Sequence, residues 1–389
     1  MKELIRKHLV YLCEQIGPRT TGSSNNKAAT KYVETVLSNA SLSCYKQEFD
    51  CICWENKGAI LKVCGHQIKA IPSDYSLGCD IEAEFIFVDS VEKLANLSLE
   101  GKIAILHGQL TQEPLMPKQF VFYNPESHQK IIAMLEDKKP LAIVTVSPIE
   151  NVFFPIIEDG DFTIPVAIIK KDSLDLLLKN SNAVLTLKID AKRIDSKACN
   201  LIATNGSGKK ITLTAHIDTK PNTAGALDNA CGVAVLLAIA ENLKQNPINN
   251  CVEIAILNGE DYYSTPGEAA YMNTHLSRSD DFRFCINIDG IALKNSNITY
   301  SFFECDDTLK AGILAESSKS KEFKEIDPWP QGDHMMFVMK GVPSVALTSE
   351  GIFDICETII HTPKDDLNLV DLDKAAAVAD FLYRVIAKI

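Results

Sequence analysis

The sequence predicts an α/β fold with a mixed, mostly parallel central sheet flanked by helices, and a smaller β-rich domain inserted into the chain. From residue 199 onward, strand-like apolar runs alternate with amphipathic helical segments. That alternation is typical of a sheet covered by helices on both faces. Residues 56–189 contain short β-like runs and one helix-like stretch at 128–135. A chain of 389 residues is long enough for both domains.

The first fifty residues predict two helices without a sheet of their own. Apolar residues recur at helical spacing over 4–16 and again over 25–39, and the turn GPRTTGSSNN separates the two segments. These helices are expected to pack on the later sheet. The prediction is therefore one discontinuous domain, 1–55 with 190–389, and an inserted domain, 56–189.

The later part of the chain predicts regularly alternating elements. Strands are expected at 199–204, 210–215, 252–257, 283–288 and 343–347, and helices at 229–244, 266–276, 307–319, 334–340 and 371–388. The segment NGSGKKIT at 205–212 looks like a phosphate loop, but Ala203 and Lys210 occupy positions where that motif needs glycine and a hydroxyl residue. A hairpin turn between two strands is expected there instead.

Composition excludes several classes of function. The net charge is −12 without a basic cluster, which argues against nucleic acid as a partner. No apolar run is long enough to cross a bilayer, and the N-terminus lacks the features of a signal peptide. A cytoplasmic protein without a membrane partner is expected, with its twelve cysteines reduced. Cys51 and Cys53 have no matching pair, so they do not predict a structural zinc site.

Polar side chains gather where the predicted strands end. Ligands of open α/β sheets bind at the carboxyl ends of the strands, where the strand order reverses. The strand ends and the loops beside them carry two histidines and four carboxylates: His216, Asp228, Glu260, Asp261, Asp289 and His361.

Each of these residues also has an ordinary explanation. Asp228 fits a helix N-cap, Asp289 fits a turn with the glycine that follows it, Glu260 with Asp261 fits a solvated loop, and single histidines are common in loops. Together, however, like charges at one sheet edge repel unless cations neutralise them. Two histidines and three carboxylates, one of them shared, would form two zinc sites with open positions. Glu260 would remain as a base.

The motifs around these residues resemble family twenty-eight of the metallopeptidases. The matching segments occur in the family's order: AHID, GALDNACGVAVLL, NGED, INIDG, GDHMMFVMKGVP and HTPKDD. The family includes bacterial di-zinc aminopeptidases, carboxypeptidase Q and glutamate carboxypeptidase type II, which share a zinc exopeptidase fold. The resemblance covers roughly 1–50 and 195–389. More weakly, the insertion resembles a protease-associated domain through GKIAILHG and KIIAMLEDKKPLAIVTVS.

The resemblance implies two zinc ions per chain, with Co²⁺ or Mn²⁺ as possible substitutes. One ion is implied to bind His216, Asp228 and Asp289. The other is implied to bind Asp228, Asp261 and His361, so that Asp228 bridges the pair.

The resemblance also implies roles for the residues around the metals. Glu260 is the implied general base, and Asp218 is implied to orient His216 through its second ring nitrogen. Asp261 is one methylene shorter than the family's glutamate, and Ile360 stands where some relatives carry a tyrosine that helps the oxyanion. Asp333 and His334 match a family motif, and an N-cap with packing at the core edge is expected for them.

The expected function is that of a di-zinc aminopeptidase that releases N-terminal residues from peptides. Related activities of the same fold are the first alternative: a carboxypeptidase, a dipeptidase, or a glutaminyl cyclase, which uses one zinc. A non-catalytic binding relative, such as the transferrin receptor, is the second alternative, and the complete ligand set argues against it. The side-chain preference and the oligomeric state stay open.

Overall fold

The computed structural model describes residues 1–356 and 358–389 and divides into two compact units. Unit 1 comprises Met1–Cys51 with Ser196–Ile389, and unit 2 comprises Ile52–Asp195. The expected boundaries lay at 55/56 and 189/190. The interpretation of unit 2 as a protease-associated domain stays a prediction.

The strands in chain order are β1 (Ser43–Val63), β2 (His66–Ile68), β3 (Ala70–Pro72), β4 (Cys79–Val88), β5 (Ile103–Leu106), β6 (Ala142–Val146), β7 (Val166–Ile169), β8 (Val184–Asn205), β9 (Lys210–His216), β10 (Cys251–Leu257), β11 (Phe282–Ile288), β12 (Ile298–Phe303), β13 (Phe323–Glu325) and β14 (Ser344–Ser349). The helices are α1 (Lys2–Val10), α2 (Ser24–Asn39), α3 (Val91–Asn96), α4 (Glu126–Asp137), α5 (Leu174–Lys179), α6 (Cys231–Gln245), α7 (Pro266–Thr274), α8 (Asp307–Ser317), α9 (His334–Met339), α10 (Ile352–Ile355) and α11 (Leu372–Lys388). Most predicted ends in unit 1 are shifted by only one or two residues.

The sheet of unit 1 has the strand order β13-β12-β14-β11-β9-β10-β8. β9 lies in the middle and is parallel to both of its neighbours, β10 and β11. β11 is also parallel to β14, whereas β8 and β12 run antiparallel to β10 and β14. The prediction of a mixed, mostly parallel sheet is confirmed.

The connection between β8 and β9 is a turn, but the predicted hairpin is wrong. β10 lies between the two strands, antiparallel to β8 and parallel to β9. All seven residues of β10 are buried, as expected for a strand that has partners on both sides. A turn motif reveals that the chain reverses, but it carries no information about a third strand that pairs between its two arms.

The two N-terminal helices pack into the core of unit 1, as the sequence predicts. Ile5 and Leu9 of α1 and Ala29 and Val33 of α2 are buried in one cluster with residues of the sheet, α6 and α11. Helix α6 is buried along nearly its whole length, which explains why it is apolar on all sides.

The segment Ala226–Gln245, which includes α6, is long and apolar enough to span a membrane by composition alone, but 89% of its most apolar window is buried inside the protein. Burial in the core accounts for its composition.

Unit 2 contains parallel strands that are connected by helices, whereas the sequence predicted a β-rich domain with one helix. β4, β5, β6 and β7 pair in parallel in that order, and β3 lies antiparallel to β7. Helices α3 and α4 connect successive parallel strands. Of its helices, α4 matches the predicted stretch at 128–135. The six-residue helices α3 and α5 were not predicted, because fewer than two turns give little periodicity.

Candidate metal centre

Three adjacent parallel strands deliver the candidate ligands to one edge of the sheet. β9 ends at His216, the loop after β10 carries Glu260 and Asp261, and Asp289 follows β11. Because these strands are parallel neighbours, their carboxyl ends meet. Asp228 comes from the segment before α6, and the remaining histidine comes from the turn after α10.

The first group of ligands surrounds His216. Its Nε2 atom lies 3.0 Å from Oδ1 of Asp228 and 3.6 Å from Oδ2 of Asp289. The ligand atoms of the three residues all lie within 4.8 Å of one another.

The second group surrounds His361. Its Nε2 atom lies 2.8 Å from Oδ2 of Asp228 and 3.2 Å from Oδ1 of Asp261. The two oxygens of Asp228 therefore face different histidines, as a bridging carboxylate requires. The structure thus brings all five predicted ligands together in two groups that share Asp228.

The electrostatics of the site favour a bound cation. His216 is fully buried, and neither ring nitrogen has a hydrogen-bond partner. Burial acts to lower the pKa of His216, but the surrounding carboxylates, Asp289 foremost, raise it well above its ordinary value. Burial also raises the pKa of Asp289. Partnerless nitrogen atoms beside crowded carboxylates match the N/O donor set of zinc, so these residues fit the metal that the resemblance implies.

The ordinary explanations for two of the ligands are wrong. Asp228 does not cap α6, because the helix begins at Cys231 and the Asn229 side chain accepts the N–H of Gly232 instead. Asp261 is buried, and its Oδ2 atom accepts the backbone N–H of Lys220 at 3.1 Å. It does not lie in a solvated loop.

Asp218 contacts the loop that carries the general-base candidate. Its carboxylate accepts the backbone N–H groups of Gly259, Glu260 and Asp261 at 2.7, 3.3 and 3.1 Å. Its distance to Nδ1 of His216 is 3.7 Å, which is longer than a hydrogen bond. The role of orienting His216 stays a prediction, whereas the contacts with the loop were not anticipated.

Glu260 belongs to neither ligand group. Its Oε2 atom lies 4.0 Å from Nε2 of His216, and the side chain lines a cavity. Burial and the charges of Asp261 and Asp289 raise the pKa of Glu260 well above its ordinary value. The position of Glu260 beside the two candidate ligand groups suits a side chain that accepts and releases protons.

Asp333 and His334 agree in part with the expected N-cap and packing at the core edge. Asp333 occupies the N-cap position of α9 and His334 is buried, but the side chain of Asp333 forms no capping hydrogen bond. The Asp333 carboxyl is buried and interacts electrostatically with Glu268 of α7. His334 lies 3.1 Å from the carbonyl of Trp329 through Nε2, and the two rings pack edge to face. His334 therefore positions Trp329.

Sequence reasoning missed two further residues of the site, Arg19 and Asp365. Both are fully buried, and both bind the backbone of the segment between His216 and Asp228. Asp365 lies in the motif HTPKDD and Arg19 in the turn GPRTTG, but the motif and the turn by themselves indicate no role for either residue.

A cavity of about 440 Å³ adjoins the ligands. Asp228, Glu260, Asp289 and His361 line its polar side. The opposite wall is mainly apolar and contains Trp329, Ile352, Phe353, Cys356 and Ile360, while Asn287, Gln331 and Thr348 add further polar groups to the lining.

Residues 200–386 match the sequence model of Peptidase family M28. This segment belongs to that family. The chain is 22% identical over 367 residues to the probable lipoprotein aminopeptidase LpqL of Mycobacterium tuberculosis, covering 86% of this chain and 70% of the relative. It is 21% identical over 400 residues to aminopeptidase YwaD of Bacillus subtilis, covering 95% of this chain and 81% of the relative.

Solved structures share the fold of the M28 protein. An aminopeptidase from Aneurinibacillus sp. strain AM-1 superposes with a TM-score of 0.78 at 18% identity, over 99% of this chain and 93% of that one. The zinc aminopeptidase BSAP from Bacillus subtilis gives 0.76 at 18% identity, over 99% and 94%. A glutaminyl cyclase from Bacteroides thetaiotaomicron gives 0.55 at 15% identity, over 99% and 98%.

Proposed function

We propose that this protein is a di-zinc aminopeptidase that releases single residues from the N-termini of peptides. One observation supports it above all: two ligand groups share Asp228, while Glu260 lies beside them outside both groups. The M28 membership makes the protein a peptidase-type hydrolase, and the number of metals and the end of the peptide that is attacked are our inference.

The residues of the site have separate tasks in this proposal. Bound zinc would acidify water and polarise the scissile carbonyl. Glu260 accepts the proton from the attacking water and returns it to the leaving amine, because it lies beside both ligand groups and belongs to neither. Asp218 fixes the backbone on both sides of Glu260 through its three accepted N–H groups, so the base is held in place.

The lining of the cavity favours the amino end of a peptide. Among the described residues that line it, none is lysine or arginine. A C-terminal carboxylate would therefore meet no basic side chain there. The apolar wall around Trp329 and Phe353 suits an uncharged side chain.

Metal content and substrate chemistry test the proposal together. We expect two zinc ions per chain, hydrolysis of a leucyl-nitroanilide that stops after chelation, and recovery when zinc or cobalt is added. The N-acetylated form of the same nitroanilide should not be cleaved, because it has no free α-amine.

Other outcomes would favour the alternatives. Activity after exhaustive chelation would rule out metal catalysis. One zinc with cyclisation of N-terminal glutamine would identify a cyclase, and release of C-terminal residues would identify a carboxypeptidase. A protein without metal and without activity would be a binding relative.

A further inference from the structure

Two buried side chains of opposite charge bind the segment 217–228, which connects two candidate ligands and is called the ligand loop here. Arg19 reaches it from the N-terminal turn and Asp365 from the segment after His361. Neither side chain is exposed to solvent. The guanidinium binds carbonyl groups of the loop, and the carboxylate binds its N–H groups.

Arg19 binds the loop at both of its ends. Its Nε atom donates to the carbonyl of Ile217 at 3.0 Å, Nη1 to that of Ala224 at 2.7 Å, and Nη2 to that of Gly225 at 3.3 Å. Its own backbone N–H donates to Oγ1 of Thr219 at 2.9 Å. Only a planar guanidinium offers several donors in one rigid fork, so a lysine could not reproduce this set of bonds.

Asp365 binds the end of the loop that carries the bridging candidate. One of its oxygens accepts the N–H of Leu227 at 2.8 Å, and the other accepts the N–H of Asp228 at 3.1 Å. Two consecutive N–H groups are thereby held by one carboxylate. This arrangement fixes the direction in which the chain enters Asp228.

The turn between these contacts has no room for a side chain at Gly225. Gly225 has a φ of 55°, and a Cβ atom there would lie 2.3 Å from the carbonyl oxygen of Asp228 and 2.5 Å from Cγ2 of Thr219. The charge of Arg19 also interacts with Asp218, Asp228 and Asp365, which reduces the repulsion among these carboxylates before any cation arrives.

We infer that Arg19 and Asp365 are positioning residues that hold the ligand loop in its metal-binding shape before metal binds. The inference rests on the proposed metal centre but not on the reaction. Without these contacts, the loop would have to be ordered as metal binds. Removal of groups that support metal ligands typically weakens metal affinity ~10–100-fold.

Amide hydrogen exchange of the metal-free wild-type protein is the first test. We expect the N–H groups of Leu227 and Asp228 to be protected without zinc, since their acceptor is already in place. Protection that appears only after zinc is added would overturn the inference. Because this measurement needs no substitution and no substrate, it gives an answer even if the proposed reaction is wrong.

Zinc affinity, measured by competition with a chromophoric chelator, is the second test. Arg19→Lys and Asp365→Asn should each bind two zinc ions ~10–100-fold more weakly than wild type. Saturating zinc should restore the wild-type rate with a leucyl-nitroanilide, because neither residue belongs to a ligand group.

Unit 2 supplies matched controls. Arg193 also donates to carbonyl groups, those of Tyr75 and Phe162, and Asp159 also accepts two N–H groups. Arg193→Lys and Asp159→Asn should keep wild-type zinc affinity. Wild-type affinity in the two test variants, or an equal loss in the controls, would overturn the inference. Zinc binding without peptide cleavage would instead contradict only the proposed function.

Discussion

At the scale of single residues, Asp228 connects the two halves of the candidate centre. Its two oxygens lie 3.0 Å and 2.8 Å from the nearest nitrogens of His216 and His361. These two histidines act to lower the pKa of Asp228, while burial acts to raise it, and the net direction is down. An asparagine at this position could not bind two cations equally, since only the oxygen of its amide group can act as a ligand.

The neighbours Glu260 and Asp261 are expected to respond differently to substitution. Glu260→Gln keeps the shape of the side chain but removes the base, so both zinc ions should stay while kcat falls ~10²–10⁴-fold. Asp261→Ala should lower the zinc content instead. Metal analysis of both purified variants, beside their turnover, distinguishes the roles. If the first variant loses a zinc ion and the second keeps both, the assignment of base and ligand is reversed.

The ligands were predictable from the sequence because each stands directly after an apolar strand or in a motif of fixed spacing. Arg19 and Asp365 were not, because they act on backbone groups of residues about 200 and 140 positions away. No periodicity or motif records such a contact. Asp218 was predicted as part of the site, but its contacts with the loop at 259–261 depend on how β9 and β10 pair.

At the scale of elements, two buried acids, Glu268 of α7 and Asp333 before α9, interact electrostatically. Both oxygens of Asp333 and one oxygen of Glu268 lack a hydrogen-bond donor. Two buried carboxylates repel each other when both are ionised, so the pair favours a form in which one of them carries a proton. Burial raises the pKa of Asp333 to about 7 and that of Glu268 well above its ordinary value.

The stability of the metal-free protein should therefore fall as the pH rises from about 4 to about 7. In that interval the unfolded chain has already released the Asp333 proton, whereas the folded protein still holds it. The loss is on the order of a few kcal/mol. Asp333→Asn should flatten this dependence, because an amide does not titrate in this range and removes one of the two like charges. Urea unfolding at several pH values measures the effect.

Glu316 gives a control with the opposite sign. Lys319, Lys388 and Arg384 lower its pKa to about 2, so its contribution to stability is present above pH 4.5 and disappears as the pH falls towards 2. Glu316→Gln should accordingly destabilise the protein at neutral pH and leave the fall between pH 4 and 7 in place. If Asp333→Asn keeps the wild-type dependence of unfolding stability on pH between 4 and 7, Asp333 and Glu268 do not share a proton.

The elements that escaped prediction lack a clear apolar pattern. β13 has three residues, none of them buried. In β12, the side chains of Thr299, Tyr300 and Ser301 are buried polar groups that obscure the apolar pattern. The strands β1 and β8, of 21 and 22 residues, were predicted only as shorter runs because most of their residues are half-buried or exposed. The central strands β9, β10, β11 and β14 were predicted because nearly all of their residues are buried.

At the scale of the whole molecule, every candidate ligand lies in unit 1. Zinc should therefore stabilise that unit selectively, by about 2.7 kcal/mol for one site at a free concentration of 100 times Kd. Hydrogen exchange followed by mass spectrometry, with and without zinc, should show added protection in Ser196–Ile389 and none in Ile52–Asp195. Added protection of equal size in both units would show that they unfold as one.

The order of the residues along the chain has a consequence for synthesis. Unit 2 is one continuous segment and is complete once residue 195 has left the ribosome. Arg19 is made early, but the loop that it binds follows about two hundred residues later, and His361 and Asp365 come later still. A nascent chain or a truncated product that ends before residue 361 lacks part of the second ligand group. The two candidate ligand groups are therefore both complete only after residue 361 has been translated.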